Sequence, residues 1–211
     1  MSVSIQNLRC KINASFELKI DELKAKPGEI LGISGQNGSG KSSLFEVILG
    51  NISFEGKVQS KETAIVFQES DVFTHLTISD NITIGLDDKN DDKLKEMLSL
   101  FDLEEFQSKK ASSLSGGEAQ RLAIARSLAL HLPILLLDES FNQMDEKTKK
   151  ELLPRLRNYL KINNITSLLI CHNFEDIECF CDSVAILKQG RLAYHSPIEN
   201  KSDLSKAKEL I

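Results

Sequence analysis

The sequence predicts an α/β fold with a mixed, mainly parallel sheet, an N-terminal antiparallel β portion and an inserted α-helical lobe. Three observations carry the parallel sheet and the lobe: short apolar runs alternate with helical segments, a glycine-rich loop joins one such run to a helix, and an amphipathic stretch midway along the chain interrupts the alternation. With 211 residues, 41% of them hydrophobic and 27% charged, the composition is that of one folded domain spanning 1–211.

Residues 3–20 alternate weakly and read as short strands. The turn Lys26-Pro27-Gly28-Glu29 leads into Ile30-Leu31-Gly32-Ile33, a short buried strand. Ser43 to Gly50 has helical character and stops at a glycine, the residue expected at a helix C-cap. Thr63 to Phe67 reads as another strand. The polar run Asp87 to Lys93 reads as a solvated loop before a helix, in which Leu94, Met97, Leu98 and Phe101 fall at i, i+3, i+4 and i+7. Beyond the lobe, Glu118 to Leu130 and Glu146 to Lys161 are expected helices, and Ile134 to Leu137 and Ile165 to Cys171 buried strands. Pro154 predicts a kink or a late start in the second helix. Ser183 to Tyr194 reads as two strands turning near Gln189-Gly190.

The formal net charge of −5 argues against nucleic acid as the main partner. The longest uninterrupted apolar stretches, Ile134 to Leu137 among them, fall far below the roughly 20 residues needed to cross a bilayer. The N-terminus carries no export or myristoylation signal, and four cysteines in a chain of this length do not form a disulfide framework. A reducing, cytoplasmic location is therefore expected.

Gly35-Gln36-Asn37-Gly38-Ser39-Gly40-Lys41-Ser42 satisfies G-x-x-x-x-G-K-[ST] between a buried strand and a helix. Glycines let backbone N–H groups turn inward around phosphate oxygens, and the following helix aims its positive end at them. Lys41 is the expected partner of the β- and γ-phosphates of ATP, and the Ser42 hydroxyl a ligand of Mg²⁺. Ser43 completes the set at the start of the helix. Ile134 to Leu137 ends in Asp138-Glu139: Asp138 fits the Mg²⁺ role and Glu139 that of general base toward an attacking water. The fold is thus expected to be a P-loop NTPase core built from 1–68 and 115–211, with the lobe at about 69–114.

Leu114-Ser115-Gly116-Gly117-Glu118-Ala119-Gln120-Arg121, just before Asp138-Glu139, resembles the signature sequence of ATP-binding cassette (ABC) proteins. A Ser-Gly-Gly turn at a helix N-terminus is also physically a second anion cradle. The resemblance implies that Ser115, Gly116 and Gly117 of one copy close over ATP held by Gly35 to Ser42 of another, giving a head-to-tail dimer. It further implies that Gln68 senses Mg²⁺ and the attacking water, that His172 contacts the γ-phosphate beside Glu139, and that Asp145 touches the opposite protomer.

The chain departs from the family pattern in three places. Arg9 to Asn13 lacks the aromatic that usually stacks on adenine, leaving Phe16 or Ile12 as substitutes; Ser140 stands where proline is common; and Asn142-Gln143-Met144 replaces small residues before Asp145. These predict altered kinetics with the chemistry intact. Cys171, His172, Cys179 and Cys181 match no common zinc spacing.

One cassette without a coiled coil implies a transporter motor that docks on separate integral-membrane permease subunits, held at the inner face of the membrane. Val66 to Ile82 resembles the permease-receiving stretch of bacterial importers of thiamine, molybdate and similar solutes, with Val72, Phe73 and Leu76 as docking residues. A periplasmic or surface solute-binding protein is a further implied partner. The alternative is a soluble ABC ATPase or a low-turnover ATP-dependent regulatory module; the intact Glu139 and His172 count against the latter.

Overall fold

The structure is a computed structural model describing residues 2–86 and 91–211. Its strands are β1 (Val3–Lys11), β2 (Glu17–Ala25), β3 (Ile30–Ser34), β4 (Glu55–Ser60), β5 (Thr63–Val66), β6 (Ile134–Asp138), β7 (Thr166–Ile170), β8 (Ser183–Lys188) and β9 (Arg191–Pro197). The helices are α1 (Lys41–Leu49), α2 (Ile78–Thr83), α3 (Asp91–Leu100), α4 (Gly116–Ala129), α5 (Glu146–Ile162), α6 (Phe174–Phe180) and α7 (Lys201–Glu209).

All described strands join one sheet in the order β4-β1-β2-β9-β8-β3-β7-β6-β5. From β8 to β5 every pairing is parallel, whereas β1 pairs antiparallel with β2 and β4. The parallel strands are short apolar runs because both faces are covered. In β3, Leu31 and Ile33 face the layer containing Leu44, Phe45 and Ile48 of α1, while Ile30 faces the layer of α4, α5 and α6. Ile134 and Leu136 of β6 likewise face the first layer, and Leu135 and Leu137 the second.

The expected strands and helices of the core are present, with α4 starting at Gly116, two residues before Glu118. Helices α6 and α7 have no counterpart in the sequence reading, and further features differ from expectation. Strand β4, Glu-Gly-Lys-Val-Gln-Ser, lies at the sheet edge and is exposed but for Val58, which is half-buried against the core. Helix α5 starts at Glu146, on time, and continues through Pro154 to Ile162. Pro154 and Lys150 lie on its exposed side, so the Lys150 carbonyl left without a donor is solvated. Burial of Leu152, Leu153, Leu156 and Leu160 holds the helix through that point. In the lobe, α2 and α3 are helical, while 69–77 is irregular chain. The start of the charge run, 87–90, lies outside the described residues.

Candidate active site

The loop between β3 and α1 has backbone only glycine accepts. Gly35 has φ +150°, and a Cβ there would lie 2.1 Å from the Leu187 carbonyl oxygen. Gly40 is the N-cap of α1 in the left-handed region, φ 104°, with no side-chain cap and no acidic residue in the first turn. The free first-turn N–H groups and the positive helix end are therefore left to an anion. Lys41 is buried and donates to the carbonyls of Gly35 (3.0 Å) and Gln36 (3.1 Å). Burial pushes its ammonium below the usual lysine range, opposed by the charges of Glu139 and Asp138. Ser39 Oγ is buried without a hydrogen-bond partner among the described residues.

Asp138 ends β6. Burial raises its carboxyl above the ordinary value, the Glu139 charge raises it further, and the Ser42 hydroxyl and Lys41 pull it back. A half-buried carboxylate beside a hydroxyl and a second acid is a suitable donor set for a divalent cation, whose charge would relieve the crowding. Glu139 has φ +49°, rare for a residue with a side chain. Its N–H donates to the Ile170 carbonyl at 3.0 Å. Its carboxylate meets His172 Nε2 through Oε1 at 3.1 Å and accepts from Asn142 Nδ2 through Oε2 at 2.8 Å.

A cleft of 520 Å³ runs from Phe16 and Ile12 past Gly38, Lys41 and Ser42 to Glu139. A second, of 490 Å³, lies along Gln36 to Ser39 and is lined by Phe16, Lys188 and Arg191. Phe16 thus borders both, with its ring 3.2 Å from a Cβ placed on Gly40. Of the two expected substitutes for the missing aromatic, both line the first cleft, and Phe16 is the one with a stacking face.

The remaining expected residues lie outside these clefts. Gln68 is exposed just past β5. Ser115 caps α4: its Oγ accepts from the Glu118 N–H, and Glu118 Oε2 accepts from the Ser115 N–H at 2.7 Å. Gly116 and Gly117 pack on Gln143, whose Oε1 and carbonyl lie 2.5 and 2.9 Å from their would-be Cβ positions. Asp145 caps α5, accepting from the Thr148 N–H (2.9 Å) and Oγ1 (2.7 Å), bonds that hold its carboxyl below the ordinary range.

Sequence reasoning marked Asn142 only as a departure from the family pattern and missed its bond to the Glu139 carboxylate. It also missed a buried ion pair, Lys149 to Asp176 at 3.2 Å, joining the first turns of α5 and α6. Cys171 and Cys181 are buried thiols, and burial pushes Cys171 up to about 12. In the lobe, Phe73 is 41% exposed, its backbone clamped by Asn81 and its ring 5.0 Å from the Arg126 guanidinium. Val72 packs against the core and Leu76 is half-buried, so of the three docking candidates Phe73 offers the most surface.

Comparison with known proteins places these features in context. Residues 18–142 match the family model described as "ABC transporter". The chain is 32% identical to a probable sulfate/thiosulfate import ATP-binding protein CysA of Chlorella vulgaris, covering 96% of this chain and 94% of that protein. It is 34% identical to the sulfate/thiosulfate import ATP-binding protein CysA of Halalkalibacterium halodurans, covering 91% of this chain but only 60% of that protein's length. Among solved structures, it is similar to the dimeric post-hydrolysis state of the ATP-binding cassette MJ0796 bound to ADP and Pi, with 26% identity, a TM-score of 0.82, and coverage of 94% and 99%. The cbiO1 structure from Clostridium perfringens shares the fold, with a TM-score of 0.84 at 23% identity and coverage of 98% and 92%.

Proposed function

The chain belongs to the ABC transporter family as an ATP-binding, ATP-hydrolysing subunit, and from that premise we propose that it powers small-solute import through separate membrane permease subunits. The observation that carries the hydrolytic reading is the contact between Glu139 and His172 at the mouth of the phosphate-loop cleft.

In this reading the loop amides of 35–42 and Lys41 bind the phosphates of ATP, and Phe16 stacks on the base. Ser42, Asp138 and Gln68 would hold Mg²⁺, which would supply positive charge to neutralise the phosphates. Glu139 takes the proton of the attacking water, and His172, bonded to the same carboxylate, orients that water beside the γ-phosphate. Ser115, Gly116 and Gly117 of a second copy close the site, with Asp145 at the seam, so that ATP binding closes a head-to-tail dimer and hydrolysis reopens it.

Among the described residues no helix is long and apolar enough to cross a membrane. The proposed site of action is the cytoplasmic face of the membrane, with Phe73 and the exposed Phe67, Ile84 and Leu130 available to a permease. The relatives named for sulfate and thiosulfate import make a small oxyanion the first solute to test, with a solute-binding protein as the outer partner. Single-turnover hydrolysis separates this motor from a low-turnover regulatory module: release of phosphate in step with multiple-turnover kcat supports the motor, and ATP held uncleaved supports the module.

A further inference from the structure

Beyond Val66 the chain leaves the sheet. Strand β5 is the sheet's edge, pairs only with β6, and its register ends at Val66 opposite Leu137. No ladder therefore fixes Gln68, the next residue but one. Side chains do so instead. Three successive carbonyls each accept from a different donor: Val66 from Ser140 Oγ at 3.1 Å, Phe67 from Gln120 Nε2 at 2.9 Å, and Gln68 from Gln143 Nε2 at 3.5 Å.

The donors come from three parts of the site. Ser140, fully buried, directly follows Glu139; Gln120, also fully buried, lies in the second turn of α4; and Gln143 stands in the loop before Asp145 and against Gly116. The Val66 bond is buried and the Phe67 bond part-buried, so opening either leaves a polar group unsatisfied; the Gln68 bond, exposed and 3.5 Å long, is the weakest of the three and acts as the outer end of the series. Ser140 supplies a hydroxyl and Gln143 a side-chain amide, so proline or a short apolar side chain at either position would remove its bond.

We propose that Ser140, Gln120 and Gln143 are positioning residues that hold the backbone of Gln68 in register with Glu139 and with the signature turn of the same protomer. The proposal rests on the reading of Gln68 as the residue facing Mg²⁺ and the attacking water. The lattice acts on the hydrolytic step and leaves the phosphate cradle, built on β3 and α1, unchanged.

The test uses the full chain with Ser140→Ala, Gln143→Glu and the hydroxyl-retaining Ser140→Thr. Gln143→Glu replaces the donor by an acceptor at an exposed position, so it keeps the test alive if Ser140→Ala fails to fold. Hydrogen exchange of nucleotide-free protein should show residues 67–74 exchanging roughly fivefold faster in Ser140→Ala and Gln143→Glu, with 35–42 unchanged. The kcat for ATP should fall roughly five- to tenfold with KM within about twofold, and Ser140→Thr should recover most of the loss. Wild-type exchange at 67–74 in both variants, or a uniform rise in exchange across the whole chain with a raised KM, would overturn the positioning role. Absence of hydrolysis by the wild type would instead overturn the functional reading, while the exchange comparison would still decide whether the lattice holds Gln68.

Discussion

Glu139 and His172, thirty-three residues apart in sequence, meet at 3.1 Å because they follow the ends of adjacent parallel strands. Asp138 stands opposite Ile170 in the β6–β7 register, and the Glu139 N–H donates to the Ile170 carbonyl. Glu139 has a positive φ at this point, and its carboxylate lies against His172. The second carboxylate oxygen is occupied by Asn142, so the side chain is fixed before any substrate arrives.

Replacing Glu139 by Gln keeps the size of the side chain and removes the base. ATP binding should survive with affinity within about threefold, and hydrolysis should fall by roughly a hundredfold or more. ATP should then trap a dimer, visible as doubled mass by light scattering. In that background Ser115→Arg should abolish the dimer without weakening ATP binding by the monomer. It would also cost about 1 kcal/mol of α4 capping, so the melting temperature must be measured alongside.

Asp138→Asn trades stability against activity. The carboxyl is raised in the fold by burial and by Glu139. A raised folded value means stability present at low pH and lost as pH rises through that value, so at neutral pH the ionised group is a burden on the nucleotide-free protein. The Asn variant should melt about 2 °C higher at pH 7, with Mg²⁺-dependent hydrolysis reduced by at least roughly a hundredfold. A lower melting temperature would refute the electrostatic account of this site.

The chemistry was more legible in the sequence than the framework around it. Gly35, Gly40 and Lys41 announce themselves because a phosphate cradle needs those residue types at that spacing, and Asp138-Glu139 because an apolar run ends in two acids. Strand β4 was invisible: at a wet edge, Glu55 to Ser60 needs no alternation. Pro154 misled because its cost depends on which side of α5 faces water. Asn142 and Gln120 act through a bent loop and a packed helix, and hydrogen-bond partners set by tertiary approach leave no periodic signal.

Phe16 should carry the base. Phe16→Ala should raise the KM for ATP roughly tenfold, the loss of about 1–3 kcal/mol of stacking, and leave kcat at saturation unchanged. Unchanged KM would return the role to Ile12.

Acid stability should report Asp182. Burial pushes its carboxyl up, but Lys161, the Ile30 N–H at 2.8 Å and Arg157 at 2.6 Å together hold it below the ordinary 3.8. A depressed folded value gives stability present above the unfolded pKa and lost as pH falls through the folded one. Asp182→Asn should lose about 2 kcal/mol at pH 7, and the gap to wild type should begin to narrow below pH of about 4 and go on narrowing as pH falls toward the depressed folded value. Melting curves from pH 7 down to 3 check both.

The central claim is an ATP-hydrolysing motor for a membrane permease. Its most direct test is purification of a tagged full chain from native membranes, with partners identified by mass spectrometry and ATPase activity compared between wild type and Glu139→Gln. The account predicts a co-purifying integral-membrane permease and hydrolysis that disappears with Glu139. Glu139-dependent hydrolysis with no membrane partner would contradict it and leave a soluble cassette ATPase in its place.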